Sequence, residues 1–260
     1  MTKNLIISGI QTNLIWENKE ANYTNFERIF RKLPTESQIV ILPEMFSTGF
    51  SMNPQKFAEP FDGKTINWLK NQANKIKKIL IGSIIITDDG KNYNRLVTVF
   101  PNGDIQFYNK RHLFRMAGEH NHYSSGNNKL IFTLDNWNIC PLICYDLRFP
   151  VWSRNTNNYN VLIYIANWPE TRSYAWKNLL IARAIENQSY VIGINRIGID
   201  GNNINHSGDS MIINPYGQII AQANANEEQI ISAELSFDEI DAIRKKFPAY
   251  LDADDFKINL

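Results

Sequence analysis

Three residues that could act together in catalysis, a cysteine, a glutamate and a lysine, each follow a stretch with the pattern of a β-strand. Cys144 comes directly after an apolar run, and Glu44 and Lys110 lie in similar positions after two other runs. Side chains at the ends of buried strands have rigid support and open surroundings, which is where α/β sheets carry their chemistry. We therefore expect these three side chains to meet in one pocket.

The three side chains together are suited to acyl transfer. A cysteine attacks as its thiolate, and an isolated thiol has a pKa near ~8.5. Glu44 could take the proton, while the ammonium of Lys110 could favour the thiolate and stabilise the oxyanion that forms on a carbonyl. The backbone N–H of Tyr145 is a natural second donor to that oxyanion. The expected sequence is thiolate attack, loss of an amine, and hydrolysis of the thioester by water that the same carboxylate activates.

Each residue also has a purely structural interpretation. A cysteine that ends a buried strand is commonly a small core residue. Glu44 and Lys110 could equally be solvated residues at the ends of a loop and a hairpin. A catalytically silent binding protein is therefore the alternative from a different functional class.

The histidines suggest two further alternatives. His112, His120 and His122 could join Cys144 in a zinc site, although His-x-His spacing is common by chance. A Cys–His peptidase would use His112 or His206 as its base, but no peptidase signature surrounds Cys144. We expect no metal site.

Composition and charge describe an ordinary globular protein. The 260 residues are 43% hydrophobic and 20% charged, and 27 basic against 26 acidic residues give a formal net charge of +1. This balance gives no indication of nucleic acid or a membrane surface as partner. The longest apolar block, 79–86, is far shorter than the ~20 residues that span a bilayer. No glycine-rich phosphate loop is present, so no nucleotide is implied. We expect no cofactor.

Two features of the chain indicate a cytoplasmic protein. The first eleven residues lack the pattern of a signal peptide. The only two cysteines are Cys140, within a predicted strand, and Cys144, directly after it; four residues of extended chain put them too far apart for a disulfide. Two free thiols fit a reducing compartment.

The predicted elements indicate one layered α/β domain. Helical periodicity appears over 18–32, 65–78 and 172–188, and Ser236 is predicted to cap a fourth helix that ends near residue 246. Strand patterns lie between the helices, and the middle of the chain is rich in hairpins. No repeat or linker interrupts it, so residues 1–260 are expected to form a single domain, with residues 247–260 as a C-terminal arm.

Three motifs resemble the signature blocks of the nitrilase (carbon–nitrogen hydrolase) superfamily. The blocks are Leu42-Pro43-Glu44-Met45, Tyr108-Asn109-Lys110-Arg111-His112-Leu113-Phe114 and Ile143-Cys144-Tyr145-Asp146-Leu147-Arg148-Phe149-Pro150. The resemblance continues through residues 182–188, 206–210 and 214–217. It implies a four-layer αββα sandwich, usually paired as a homodimer. It also implies Cys144 as nucleophile, Glu44 as base and Lys110 as oxyanion-stabilising cation. Glu119 matches a second glutamate of the family, and is expected to orient Lys110 and to hold substrate.

Within the superfamily the chain is most similar to bacterial omega-amidases. The similarity lies in residues 112–116, 166–169 and 247–256. It implies hydrolysis of the terminal amide of 2-oxoglutaramate or 2-oxosuccinamate to the 2-oxo dicarboxylate and ammonia. An amidase or carbamoylase for another small amide is the alternative within the superfamily, and a true nitrilase is less expected.

Such a substrate carries a carboxylate, which an arginine fork binds best. Arg148, Arg172 and Arg115 are the candidates, and Arg172 is favoured because it lies just beyond a strand end at the start of a helix. Arg148 is the second choice. The aromatic residues expected to wall the pocket are Trp168, Tyr145 and Phe46.

Overall fold

A computed structural model describes residues 4–156 and 158–259 of the chain. This part of the chain contains fourteen β-strands and six α-helices. The strands are β1 (Leu5–Gln11), β2 (Ile39–Ile41), β3 (Ile79–Asp88), β4 (Lys91–Val99), β5 (Ile105–Asn109), β6 (Phe132–Leu134), β7 (Trp137–Ile143), β8 (Val161–Ala166), β9 (Tyr190–Asn195), β10 (Ile197–Ile199), β11 (Asn205–Ser207), β12 (Met211–Ile213), β13 (Ile219–Gln222) and β14 (Gln229–Leu235). The α-helices are α1 (Lys19–Phe30), α2 (Pro54–Phe57), α3 (Lys64–Ile76), α4 (Pro150–Ser153), α5 (Ser173–Asn187) and α6 (Phe237–Lys246).

Two six-stranded sheets contain twelve of these strands. The first has the order β14-β1-β2-β3-β4-β5, and the second has the order β13-β12-β9-β8-β7-β6. In each sheet the three central strands, β1-β2-β3 and β7-β8-β9, run parallel, and the outer pairings are antiparallel. The carboxyl ends of the parallel strands therefore provide one edge in each sheet for functional side chains.

The two sheets pack face to face, and helices cover their outer faces. Gly9 of β1 lies against Ile194 of β9, so closely that a Cβ at Gly9 would be 2.0 Å from the Ile194 side chain. Outside the first sheet, α1 and α3 contribute Phe26 and Leu69 to a fully buried cluster. Outside the second sheet, Leu180 of α5 packs against β9. The order of layers is helix, sheet, sheet, helix, and the predicted four-layer αββα fold class is confirmed.

The three helices predicted over 18–32, 65–78 and 172–188 agree with α1, α3 and α5 to within two residues at each end. The hairpin β10–β11 and the short helix α2 were not predicted, because elements of three or four residues have no usable periodicity. A short helix was predicted to begin near Phe149, and α4 begins at Pro150. Ser236 does occupy the position before α6, but its side chain makes no capping hydrogen bond. Residues 1–3 and 260 of the predicted domain lie outside the described part of the chain.

Both cysteines are free thiols, and both are buried. Among the described residues, no helix has the length and apolar character needed to cross a membrane.

Candidate active site

The side chains of Glu44, Lys110 and Cys144 lie together. Lys110 Nζ is 2.8 Å from Glu44 Oε1, and the charges of Glu44 and Lys110 are both close enough to the Cys144 thiol to shift its pKa. Lys110 directly follows β5, Cys144 directly follows β7, and Glu44 lies three residues beyond β2. The ends of strands from both sheets thus supply the cysteine, the cation and the carboxylate.

A short 3-10 helix, Cys144–Arg148, presents the cysteine with a left-handed backbone of φ +43°. This conformation is uncommon for a residue with a side chain. The buried carboxylate of Asp146 accepts a hydrogen bond from the Ile143 N–H at 3.0 Å and another from the Tyr108 hydroxyl at 2.8 Å. These bonds close the turn around Cys144, and they hold it in place against the strand that leads to Lys110.

Glu44 is fully buried and held from several sides. Its Oε1 accepts a hydrogen bond from Asn94 Nδ2 at 2.8 Å, and its Oε2 accepts one from the Asn167 N–H at 2.8 Å. Asn167 Nδ2 also donates to the Glu44 main-chain carbonyl at 2.6 Å. The next residue, Met45, has φ +45° and donates its N–H to Ser83 Oγ. The carboxylate orientation is therefore fixed before any substrate binds.

A second buried glutamate, Glu119, shares the lysine. Lys110 Nζ lies 3.0 Å from both carboxylate oxygens of Glu119, and the Phe114 N–H donates to Oε2 at 2.6 Å. Burial alone would lower the pKa of Lys110, but Glu119 and Glu44 outweigh burial and raise that pKa above its usual value. Burial, opposed by Lys110 and reinforced by Glu44, raises the pKa of Glu119. Lys110 is accordingly a permanent ammonium.

The Cys144 thiol has a pKa well above its usual value, mainly because it is buried and secondly because it faces the charge of Glu44. Lys110 acts in the opposite direction, as the sequence suggested, but its effect is outweighed. The resting site therefore contains a neutral thiol beside a carboxylate. Such a pair can generate the thiolate by transferring the proton to Glu44 during attack.

Cys144 opens onto a cavity of about 570 Å³, and 9% of the residue is exposed. Arg148 and Arg172 both line this cavity. The guanidinium carbon of Arg148 lies 5.1 Å from the ring centre of Trp168, and that of Arg172 lies 5.2 Å from the ring of Phe114. Neither guanidinium has a carboxylate within ion-pair distance in the described part of the chain. Tyr145 and Trp168 also line the cavity.

Phe46 was predicted to wall the pocket, and this prediction was wrong. Its ring is fully buried in the core outside the first sheet, 5.5 Å from the ring of Phe26 and 5.8 Å from that of Trp68. The left-handed backbone of the preceding residue turns the chain, so that Phe46 faces the core and Phe50 lines the cavity instead. Arg115, the third arginine considered, is exposed and lies outside the residues that line the cavity.

The two histidines considered as bases have other partners. His112 Nδ1 lies 2.8 Å from Asp146 Oδ1, and the ring stacks on Phe149 with centres 3.7 Å apart. His206 lines the cavity, and its Nδ1 is 3.3 Å from the Gly198 carbonyl. The described residues contain no group of three or more His, Cys, Asp or Glu side chains arranged to hold a metal. The geometry thus gives no support to a Cys–His pair or to the zinc alternative.

Sequence reasoning missed two asparagines that contact Glu44. Asn167 follows β8 directly, so the strand-end rule that singled out Cys144 also applies to it. Asn94 lies within β4 and is fully buried. Its sequence neighbours include Lys91, Asn92 and Arg95, so nothing in the local pattern distinguishes it.

Comparison with known proteins identifies the family. Residues 7–245 match the family model described as carbon–nitrogen hydrolase. The chain is 46% identical to an omega-amidase of Escherichia coli strain K12, named YafV, over 98% of both chains. It is 35% identical to a 2-oxoglutaramate amidase of Bacillus subtilis, over 95% of this chain and 96% of that one. The fold superposes with a TM-score of 0.96 on a CN-hydrolase superfamily protein of Xanthomonas campestris, XC1258, at 37% identity, with 99% and 100% of the two chains covered. The chain therefore belongs to the carbon–nitrogen hydrolase family.

Proposed function

We propose that the protein is an omega-amidase, which hydrolyses the terminal amide of 2-oxoglutaramate or 2-oxosuccinamate to the 2-oxo dicarboxylate and ammonia. One observation carries the proposal: Cys144, whose thiol lies in the field of Glu44 and Lys110, opens onto a cavity that also contains two arginines with no carboxylate partner among the described residues. The similarity to an omega-amidase and to a 2-oxoglutaramate amidase over nearly the whole chain supports the same substrate class.

In the first half of the reaction, Cys144 attacks the amide carbon while its proton passes to Glu44. The tetrahedral intermediate carries a negative oxygen, which Lys110 and the backbone N–H of Tyr145 stabilise. Glu44 then returns the proton to the leaving nitrogen. The carbon–nitrogen bond breaks, ammonia leaves, and a thioester links the acyl group to Cys144.

In the second half, water attacks the thioester. Glu44 takes a proton from that water, the same cation and N–H stabilise the second oxyanion, and the carbon–sulfur bond breaks. The proton returns to the sulfur of Cys144, so the net reaction consumes one amide and one water. Glu119, which holds Lys110 through two contacts of 3.0 Å, keeps the ammonium in position through both halves.

The far end of the substrate carries a carboxylate and a 2-oxo group. Arg172 and Arg148 supply planar donors for them, and stacking on Phe114 and Trp168 restrains both guanidiniums. We assign Arg172 to the carboxylate and place Arg148 beside it. A cavity of about 570 Å³ is in the range that suits a small molecule.

A panel of substrates tests this function by ammonia release. Wild-type protein should turn over 2-oxoglutaramate and 2-oxosuccinamate with kcat/KM at least ~100-fold above glutamine, which lacks the 2-oxo group, and above a simple nitrile. The Cys144→Ala variant measures the background. Faster turnover of an uncharged amide or a carbamoyl compound would reject the omega-amidase assignment in favour of another amidase. Release of no ammonia from any member would favour a binding protein.

We also propose that the protein is a homodimer. Large apolar side chains are exposed on the C-terminal arm, with Phe247 at 68% and Leu251 at 70% exposure. A second copy that covers these side chains would remove them from water. Light scattering should give twice the 30.1 kDa chain mass, and the double change Phe247→Asp and Leu251→Asp should give the monomer mass. A monomeric wild-type protein would contradict the assignment.

We propose a cytoplasmic location, because the two free cysteines suit a reducing compartment. Fractionation of cells that produce the protein should recover it with a cytoplasmic marker, and recovery with an exported marker would contradict this.

A further inference from the structure

Asn94 of β4 contacts Glu44, Glu119 and Lys110. Its Nδ2 donates to Glu44 Oε1 at 2.8 Å and to Glu119 Oε1 at 3.3 Å. Its main-chain carbonyl accepts the N–H of Lys110 at 3.0 Å. The residue is fully buried, so these contacts are shielded from water.

The other end of the same amide is unpaired. Asn94 Oδ1 is buried and has no hydrogen-bond partner within the described residues. An unsatisfied buried acceptor costs free energy, and such an atom in a folded protein requires an explanation. In this site Asn94 therefore uses the two N–H groups of its side chain as donors, while its side-chain oxygen stays without a partner.

A neutral double donor is what the local charges require. Two carboxylates, Glu44 and Glu119, share one ammonium, Lys110, and all three are fully buried. A further carboxylate here would repel both glutamates, whereas a further cation would compete with Lys110 for them. The side chain of serine has only one donor, its hydroxyl. Asparagine provides two N–H donors without adding a charge or a titrating proton.

The contacts also differentiate the two oxygens of Glu44. Oε1 accepts from Asn94 and from Lys110, which occupies both of its lone pairs. Oε2 accepts one hydrogen bond, from the Asn167 N–H, and so retains a free lone pair. The oxygen available for the proton of Cys144 is therefore Oε2.

We propose that Asn94 is a positioning residue, which fixes Glu44 with Oε2 directed to proton transfer and keeps Glu119 aligned on Lys110. The proposal rests on the proposed role of Glu44 as base. Asn94 is not among the residues that line the cavity, and it acts through the two carboxylates.

Loss of the Asn94 donors should change how activity depends on pH. The charged and titratable groups around Glu44 are Lys110, Glu119, Cys144 and the Tyr123 phenol. A donor to a carboxylate favours its ionised form, and Glu44 must be ionised to act as base. Without Asn94 the acid limb of the kcat/KM profile should therefore move to higher pH, by about one unit.

Three variants test this role. Asn94→Ala removes both N–H donors, Asn94→Ser keeps one donor, and Asn94→Asp replaces the donors with a charged acceptor. With the amide that the wild-type protein hydrolyses best, kcat should fall about 10- to 100-fold for Asn94→Ala, with KM within about threefold. Asn94→Ser should lose less, and Asn94→Asp should lose more. Thr98→Val is the matched control, since Thr98 lies on the same strand, is equally buried and also has an unpaired oxygen. This control should retain the wild-type kcat and profile.

Alkylation of Cys144 by iodoacetamide provides a second measurement that needs no substrate. The alkylation rate is measured by mass spectrometry at a series of pH values. The resulting pH profile should move to higher pH in Asn94→Ala, as the acid limb of kcat/KM does, and should not move in Thr98→Val. If the wild-type protein hydrolyses no amide while this shift occurs, the proposed function fails and the role of Asn94 stands. If a folded Asn94→Ala protein has the same kcat and the same two pH profiles as the wild-type protein, Asn94 does not position Glu44 and the proposal is overturned. Failure of all three variants to fold would also overturn it, because Asn94 would then serve the fold alone.

Discussion

His112 Nδ1 lies 2.8 Å from Asp146 Oδ1, and this contact joins the segment that carries Lys110 to the turn that carries Cys144. The His112 main-chain N–H donates to the same oxygen at 3.0 Å. His112 is two positions beyond Lys110, and Asp146 is two positions beyond Cys144. The buried carboxylate of Asp146 thus joins the segment of the cation to the turn of the nucleophile.

Replacing this carboxylate should therefore damage both stability and activity. In Asp146→Asn, an NH2 group would face donors from Tyr108, Ile143 or His112, so the free energy of unfolding should fall by about 2–4 kcal/mol. The kcat should fall with it. His112→Phe keeps the ring stacked on Phe149 and removes one donor, so it should lose only about 1 kcal/mol. Urea unfolding measures both values, and equal losses would mean that the histidine ring dominates.

Cys144→Ala and Cys144→Ser should abolish ammonia release and leave the free energy of unfolding nearly unchanged, because each change is small. Cys140→Ala provides the control: Cys140 is fully buried and, unlike Cys144, does not line the cavity, so reagents do not reach its thiol. Iodoacetamide should modify one cysteine in the wild-type protein and none in Cys144→Ala. Normal turnover by Cys144→Ala would exclude it as the nucleophile.

Lys110→Met should reduce kcat at least ~100- to 1000-fold with a far smaller change in KM, because the cation acts on the oxyanion. The variant also leaves Glu44 and Glu119 buried without their counter-ion, so it should lose about 3–5 kcal/mol of stability. Lys129→Met removes a cation outside this group and should keep the wild-type kcat. A rise in KM with unchanged kcat would mean that Lys110 only binds substrate.

Arg172→Ala should raise KM for 2-oxoglutaramate about 10- to 100-fold, since a hydrogen bond to a charged group contributes about 1.5–3 kcal/mol. The KM for an uncharged amide of similar size should change little. Arg148→Ala should have a smaller effect on the 2-oxo acid, and Arg115→Ala, outside the cavity, should have none. If Arg148→Ala gives the larger effect, the carboxylate role passes to that residue.

Local sequence pattern could predict the strand-end residues because it requires only that each strand be recognised. Cys144 and Lys110 directly follow strands whose apolar runs are visible in the sequence. Asn94 could not be placed in this way, because it reaches Glu44 only through the pairing of β4 with β3 and β5. Phe46 failed for a different reason. The direction of its side chain depends on the left-handed backbone at Met45, and the residue types in that segment do not predict this backbone conformation.

His206 provides a pH-dependent test of the cavity wall. Burial, reinforced by the charge of Arg196, lowers the pKa of His206 to about 4 from an ordinary value of 6.5. Between these two values the unfolded chain binds a proton that the folded chain does not, so stability should fall as pH decreases from about 7 to 4. The shift corresponds to about 3 kcal/mol. His206→Asn retains a donor for the Gly198 carbonyl but cannot titrate, so its stability should change less over this range. Urea unfolding at pH 7, 5.5 and 4.5 measures the difference between the two proteins. Parallel curves for the two proteins would mean that His206 takes up its proton in the folded state as readily as in the unfolded chain.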